Sequence, residues 1–321
     1  MTTKPMALTG LTGSNPLAFL SALGVLRVME NASELSWDNA LKPILHLHAP
    51  ITEEELVIQL EASLRKSGEG LRRYPNEHAP AEIVKVDAEL FRSFARASTN
   101  DPMMASFAAA FASDACRDQS NYSLVSPTRL SLANGNGGKK LLLQFCSMVA
   151  DAPERTVVSK PGKKIAVSSK ATPSLGQLLR EAIFDWTARD GSDYYAFRWD
   201  PAELRRYAHM ALKPEHDRYR PVAGANLLAV IGLTMFPSTP GANGLQTSGL
   251  MEFERREVFS WPLWKHPLTA PAARALLMQP GAGENPFAPN WNRSQGVFAR
   301  FCSERFTDPQ KNAYFAPSFE V

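Results

Sequence analysis

Residues 11–30 read LTGSNPLAFLSALGVLRVME, and from Pro16 onward the stretch is a helix with almost no polar face. Ser14 or Asn15 supplies the cap, because a short side-chain oxygen accepts a hydrogen bond from the open N–H groups of a first turn. Pro16 suits the first helical position, where its missing N–H costs nothing. Leu17, Leu20, Leu23 and Val28 recur at helical spacing, and Ala18, Ala22 and Gly24 leave small contacts between them. A helix over 16–30 that is apolar or small all round is expected to pack tightly on both sides.

Pro221–Phe236 has the same character: GANLLAVIGLTMF is a strongly apolar helix stopped by Pro237. Around these two segments the chain mixes short strands with amphipathic helices. Leu35–Trp37 and Ile44–His48 read as strands. Thr52-x-x-Glu55 is a capping box ahead of LVIQLEASLRK. Helices follow over 87–97, 102–117, 139–149, 175–189 and 270–278. Strands are expected at 194–199 and 258–264, a strand edge at 129, a loop over 241–249 and a last regular element near 295–306. The fold class is α+β: a helix-rich mixed fold with short antiparallel strands and a basic hairpin. Composition shifts over 150–172, which divides the chain into a helix-rich α+β part over 1–150 and a second α+β part over 151–321, unless the two make one domain.

With 321 residues, 44% of them hydrophobic, the chain has ample material for a core, and 21% charged residues set it apart from disordered sequences. Cys116, Cys146 and Cys302 are odd in number and far apart, which argues against a disulfide framework and a cysteine-rich zinc site. The opening residues show no charged run followed by an apolar core, and no apolar stretch reaches the roughly 20 residues of a membrane span. A cytoplasmic protein that does not enter a membrane is the expectation.

The charge is unevenly placed. Residues 129–170 hold eight cations against Asp151 and Glu154, a surplus of six, while residues 1–128 sum to −4 and residues 171–321 to +1. A near-neutral chain with its positive charge in one block points to a polyanion. Within the block, ANGNGGKK joins a glycine-rich loop to the start of a helix, where backbone N–H groups and Lys139 and Lys140 suit phosphate. The GxxxxGK[ST] spacing of a nucleotide-hydrolysing loop is absent, since Leu141 follows the lysines. ERTVVSKPGKKIAVSS reads as a hairpin about Pro161-Gly162, with Lys160, Lys163 and Lys164 at its tip and Lys170 beyond it. These lysines are expected to contact phosphates. Asn134 and Asn136 offer amides to base edges. Arg129 either braces the loop or contacts nucleic acid.

Arg218 and Arg220 flank Tyr219, an arrangement able to stack a base between phosphate contacts. Acids at Glu203, Glu215 and Asp217 favour a salt-bridged surface there, and both readings stand. His46-x-His48 places two rings on one strand face without an evident third metal ligand, and His216-Asp217 is a dipeptide found in metal-dependent phosphohydrolases, here without further histidines beside it. No G-x-S-x-G and no activated cysteine is present, so no catalytic residue, metal or cofactor is assigned. Trp261-Pro262-Leu263-Trp264 reads foremost as core packing.

Three segments, LTGSNPLAFLSALGVLRVME at 11–30, RWDPAELRRYA at 198–208 with GANLLAVIGLTMFP at 224–237, and FSWPLW at 259–264, together with the glycine loop after LSLANGNGG, resemble a family of CRISPR-associated proteins from type I-U (also called I-G) loci. The opening segment is similar to that of the Cascade large subunit of that type. The resemblance spans nearly the whole chain in patches. It implies a non-enzymatic subunit of an RNA-guided surveillance complex that contacts target DNA and its flanking motif. Its partners would be CRISPR RNA, target DNA, the other Cascade subunits and the helicase-nuclease. In such complexes base pairing reads the sequence and protein reads the flanking motif and backbone. Large subunits commonly end in a helical bundle; this chain ends in a Pro/Asn-rich stretch and a short element, a departure that implies either a separate small subunit supplying the bundle or a different job for this protein in the same pathway. Two other readings compete: a metal-dependent nuclease or phosphohydrolase centred on His46, His48 or His216-Asp217, and an adaptor that recruits the helicase-nuclease.

Overall fold

The structure, a computed structural model, describes residues 4–73, 86–118, 121–132, 141–150, 173–189, 194–203, 220–242, 244–253, 255–279, 294–307 and 313–321. It is an α+β fold in which helices alternate with small antiparallel sheets. The strands Lys4–Ala7 (β1), Ser33–Trp37 (β2) and Pro43–Leu47 (β3) form the first sheet, in the order β1-β3-β2. Between β1 and β2 runs α1, Pro16–Val28, with Pro16 opening its first turn. The Asn15 side chain caps it, accepting from Ala18 N at 3.1 Å. Helix α2, Glu53–Arg73, starts at the expected capping box: Thr52 N donates to Glu55 Oε2 at 2.7 Å, and Glu55 N donates to Thr52 Oγ1 at 3.1 Å.

After β4 (Val86–Asp87) come α3 (Ala88–Ala97) and α4 (Pro102–Phe111). The helix expected to run to residue 117 stops six residues early. Ala112 is extended, and Ala112–Asp118 (β5) turns back against Asn121–Pro127 (β6), which also pairs β4. Helical spacing of the phenylalanines could not reveal this pairing partner downstream. The edge strand expected at Arg129 is instead a turn following β6.

The helices α5 (Leu141–Val149), α6 (Leu175–Arg180) and α7 (Ala223–Gly232) follow. The helix expected to reach 189 is shorter: α6 continues as a π-turn over Glu181–Asp185 and ends at Trp186 in the left-handed region, φ 53°. Residues 241–249, expected to be loop, are partly a hairpin, Ser238–Gly241 (β7) with Gly244–Thr247 (β8). Then come Leu250–Phe253 (β9), Arg256–Trp264 (β10), helix α8 (Ala270–Met278) and Val297–Thr307 (β11). The sheet is completed by Ala313–Phe315 (β12) and Phe319–Glu320 (β13), both paired with β11, so its order is β12-β11-β10-β9. Pro262 lacks a ladder donor, yet it fits in β10 because β9 pairs only residues 256–259 of that strand.

The two apolar helices expected from sequence lie against each other at the centre. All of α7 is buried, as is α1 from Pro16 to Arg27. Their approach is set by glycine. A Cβ on Gly24 would sit 2.0 Å from Leu228 O, and one on Gly232 would sit 2.0 Å from Leu20 O. Ser21 Oγ lies 2.6 Å from Leu17 O and 2.8 Å from Ala225 O, so its one proton has a carbonyl acceptor on either helix. One hydrophobic cluster draws residues from both sides of position 150. The WPLW segment is core: Trp261 and Trp264 are buried and donate from Nε1 to Gly13 O and Leu35 O, each at 2.7 Å. Phe19 packs on Trp37 and Trp261, and Phe259 stacks between Trp261 and Phe315, so aromatic rings join α1 to the large sheet. All three cysteines are free and buried. No described helix is long and apolar enough to cross a membrane.

Candidate nucleic-acid interface

Of the residues expected to contact nucleic acid, Arg129 and Arg220 fall within the described structure. Asn134, Asn136, Lys139, Lys140, Lys160, Lys163, Lys164, Lys170 and Arg218 lie outside the described residues, as do the 154–169 hairpin and His216-Asp217. Arg220 is exposed just ahead of α7. The described root of the basic block is therefore residues 128–132, together with what holds them.

That root is pinned on several sides. Thr128 Oγ1 and Thr247 Oγ1 lie 3.0 Å apart in the interior, and Ser131 N donates to Thr128 O at 3.0 Å. Leu130 O accepts from Trp199 Nε1 at 2.8 Å, and Arg129 O accepts from Arg305 Nε at 2.9 Å. Leu130 and Leu132 are fully buried. The Arg129 side chain forks onto Glu257, with Nε to Oε1 at 2.5 Å and Nη2 to Oε2 at 2.9 Å. Arg305 Nη1 reaches the same carboxylate at 3.0 Å. Of the two readings held for Arg129, bracing is the one this contact serves: its charge is offset by Glu257, while 55% of its side chain stays exposed. Burial lowers the pKa of Arg305, and Glu257 opposes that shift.

Trp199 belongs to a segment expected to be a strand. Residues 194–199 are irregular instead. The alternation is real, since Tyr195, Phe197 and Trp199 pack ring on ring at 5.2 and 5.3 Å. Their backbone finds side chains rather than a neighbouring strand: Phe197 N donates to Asn226 Oδ1 and Arg198 N to Glu203 Oε2, each at 3.0 Å. Arg198 carries φ 69°, a costly conformation for a non-glycine residue, and its guanidinium lies 4.7 Å above the ring of Tyr314. Asp200 caps the turn that follows, accepting from Ala202 N at 3.0 Å, and also accepts from Asn15 Nδ2 at 3.0 Å. The RWDPAE and LTGSNP segments thus meet at one hydrogen bond. Glu203 is buried, and its carboxyl is pushed up to about 8, chiefly by burial and then by the neighbouring Asp200 charge. Glu203 Oε1 and Arg198 Nη1 are buried without a hydrogen-bond partner among the described residues. Sequence reasoning treated Glu203 as a surface acid; the D-P-x-E spacing after a tryptophan was the signal that a compact capped turn could bury it.

His46 Nε2 lies 2.7 Å from Ser36 Oγ, burial lowers its pKa, and among the described residues no three His, Cys, Asp or Glu side chains gather as a metal would need. Glu181 is clamped by Arg189, whose Nε donates to Glu181 Oε2 at 2.9 Å.

Beside the Arg129–Glu257 pair opens a cleft of about 790 Å³. The β7–β8 hairpin, β9, the end of α8 and the face of β10 and β11 bearing Ser260, Pro262 and Arg300 line it. Arg255 stands at its rim and Arg300 lies in the sheet beneath it, 6% exposed, donating from Nη1 to Ser260 Oγ at 3.3 Å. Neither arginine stood out in the sequence: Arg255 lies in the turn between β9 and β10 with Glu252 and Glu257 close by, and Arg300 lies inside β11.

The fold and this site define an α+β protein with an arginine-lined cleft at the root of a basic segment. No protein-family profile matches the chain, and no curated protein matches it.

Proposed function

We propose that this chain is a non-catalytic nucleic-acid-binding subunit of a type I CRISPR RNA-guided surveillance complex. In this reading it works in the cytoplasm in the manner of a large subunit, contacting target DNA and its flanking motif beside the CRISPR RNA and the other Cascade subunits, and offering the helicase-nuclease a landing surface. The observation that carries the reading is the surplus of six positive charges in residues 129–170, set in a chain whose remainder is slightly acidic. Such a block binds phosphate backbones, and each phosphate contact releases counterions. The anchoring of Arg129 and Leu130 supports it, because a basic segment transmits binding to a complex only if its root is fixed. The resemblance of residues 11–30 to the Cascade large subunit supplies the pathway.

The test is a quintuple variant with Lys139, Lys140, Lys160, Lys163 and Lys164 changed to Gln, assembled with its neighbouring subunits and guide RNA. Binding to target duplexes with varied flanks is measured at several salt concentrations. Loss of affinity with a salt slope lower by about 0.9 per phosphate contact removed supports the reading. Unchanged affinity and slope overturn it.

A further inference from the structure

We propose that Arg198 and Glu203 form a two-position latch operated by one proton. With the carboxyl protonated, the guanidinium rests on the ring of Tyr314. When the proton leaves to solvent, the guanidinium turns inward, pairs with Glu203 and lets the ring go. The latch belongs to the folded chain itself and stands or falls independently of the nucleic-acid reading.

The carboxyl is already seated against residue 198, because Glu203 Oε2 accepts from Arg198 N at 3.0 Å. That leaves Oε1 to carry the proton, and Oε1 is buried without a hydrogen-bond partner among the described residues. Arg198 Nη1 is buried in the same condition. A buried hydroxyl without an acceptor and a buried N–H without an acceptor each cost free energy, so neither group is settled where it lies. Once the proton is gone, Oε1 is a charged acceptor, and Nη1 is a charged donor on the very residue whose backbone the carboxyl touches. Rotation about the side-chain torsions of Arg198 brings the two together. The chain itself is held on either side, by Phe197 N on Asn226 Oδ1 and by Trp199 Nε1 on Leu130 O.

The present seat of the guanidinium is the weaker of the two. It lies 4.7 Å from the centre of the Tyr314 ring. A cation–π contact gives way to a charge-assisted hydrogen bond with a desolvated carboxylate, but a neutral Glu203 offers no such bond. The charges around the acid fit this order of events. Burial and then the Asp200 carboxylate hold the proton on, and the Arg198 charge draws it off. From α7 comes the uncharged Asn226, and from the cap of α1 the uncharged Asn15, which bonds Asp200. Tyr314 lies on β12, whose partner β11 carries Arg305, and Arg305 Nε holds Arg129 O. Opening the Arg198–Tyr314 contact therefore removes a tie between the RWDPAE turn and the strand pair that helps to fix the root of the basic segment.

The test is NMR of the full-length chain with isotope-labelled arginine and glutamate, titrated from pH 5 to pH 9. The signals are assigned by their loss in Arg198→Lys and Glu203→Gln. At pH 5 the Arg198 side-chain protons are expected upfield, shielded by the ring. They move to ordinary positions with the same midpoint as the Glu203 carboxyl, at about 8. In Glu203→Gln they stay upfield throughout. Tyr314→Leu takes away the competing contact, so the freed guanidinium reaches the carboxylate more readily and the Glu203 midpoint falls. Glu203 titrating while the Arg198 signals stand still overturns the latch, as do signals that move equally in Glu203→Gln. It is overturned as well by a midpoint that Tyr314→Leu leaves in place or raises, and by a carboxyl that does not titrate in this range. Wild type and Tyr314→Leu decide between them even where Glu203→Gln fails to fold, since Tyr314 is only half-buried on a three-residue strand.

Discussion

The Cβ that Gly24 lacks would lie 2.0 Å from the carbonyl oxygen of Leu228, across the crossing of α1 and α7. No side chain can yield there, because the obstacle is backbone. Gly24→Ala must push the two central helices apart, and α7 and α1 from Pro16 to Arg27 are buried. We expect it to cost at least the 1–3 kcal/mol typical of overpacking, and Gly232→Ala, which meets Leu20 O at the same distance, to cost a similar amount. Ala at a helical glycine ordinarily stabilises by up to about 1 kcal/mol. Urea midpoints of the two variants below wild type confirm the crossing; a rise in either midpoint contradicts it.

Much of this centre was legible. Apolar and small residues around Pro16–Val28 and Ala223–Gly232 could only mean helices covered on every side, and Asn15 with Pro16 fixed where the first begins. What could not be read was the partner. Nothing local says that Gly24 meets Leu228 rather than another helix, since the contact spans about two hundred residues. The strand expected at 194–199 failed for a related reason: alternation correctly placed Tyr195, Phe197 and Trp199 together, but the backbone partners, Asn226 and Glu203, are side chains on other elements. The basic block was legible as charge alone, while Arg255 and Arg300 line one cleft only when β9, β10 and β11 are assembled.

Glu203 gives the fold a pH dependence of unusual sign. Its carboxyl, pushed up to about 8 by burial and by Asp200, binds its proton more tightly folded than unfolded, where the ordinary value is near 4.5. Between those values folding takes up a proton, so stability falls as pH rises from about 4.5 to about 8 and the loss is complete above that. Glu203→Gln keeps an oxygen for Arg198 N and removes the titration. The variant should gain on wild type steadily over that window, reaching a few kcal/mol at pH 9. Melting temperatures at pH 5, 7 and 9 decide it; a constant difference between the two proteins contradicts the buried carboxyl.

The Arg129–Glu257–Arg305 cluster predicts an asymmetry. The Arg129 side chain is 55% exposed, and Arg305's is 13%. Losing an exposed member of an ion pair costs less than about 1 kcal/mol, so Arg129→Ala is expected to be mild. Glu257→Gln leaves Arg305 a poorly hydrated cation without its carboxylate and is expected to cost roughly 2–4 kcal/mol. Equal denaturation midpoints for the two variants would show that Arg305 does not depend on Glu257.

Asn15 serves two partners through the two ends of one amide, and this separates it from an ordinary cap. Its oxygen accepts from Ala18 N at 3.1 Å, and its nitrogen donates to Asp200 Oδ1 at 3.0 Å. Aspartate caps helices as well as asparagine does and sits favourably at a positive helix end, so at an isolated cap Asn15→Asp would be neutral or better. Here the exchange replaces an N–H donor with a second carboxylate facing Asp200, beside the buried Glu203. We expect Asn15→Asp to lose on the order of 1–3 kcal/mol at pH 7, more than Asn15→Ser, which keeps a cap and adds no charge. The repulsion raises the pKa of the new carboxyl pair in the folded state, so the deficit shrinks as pH falls and the pair takes up a proton. Unfolding curves of both variants at pH 5 and pH 7 test this. A deficit for Asn15→Asp that does not shrink at pH 5, or one no larger than that of Asn15→Ser, would mean that the bond joining the 11–30 and 198–208 segments carries no stability of its own.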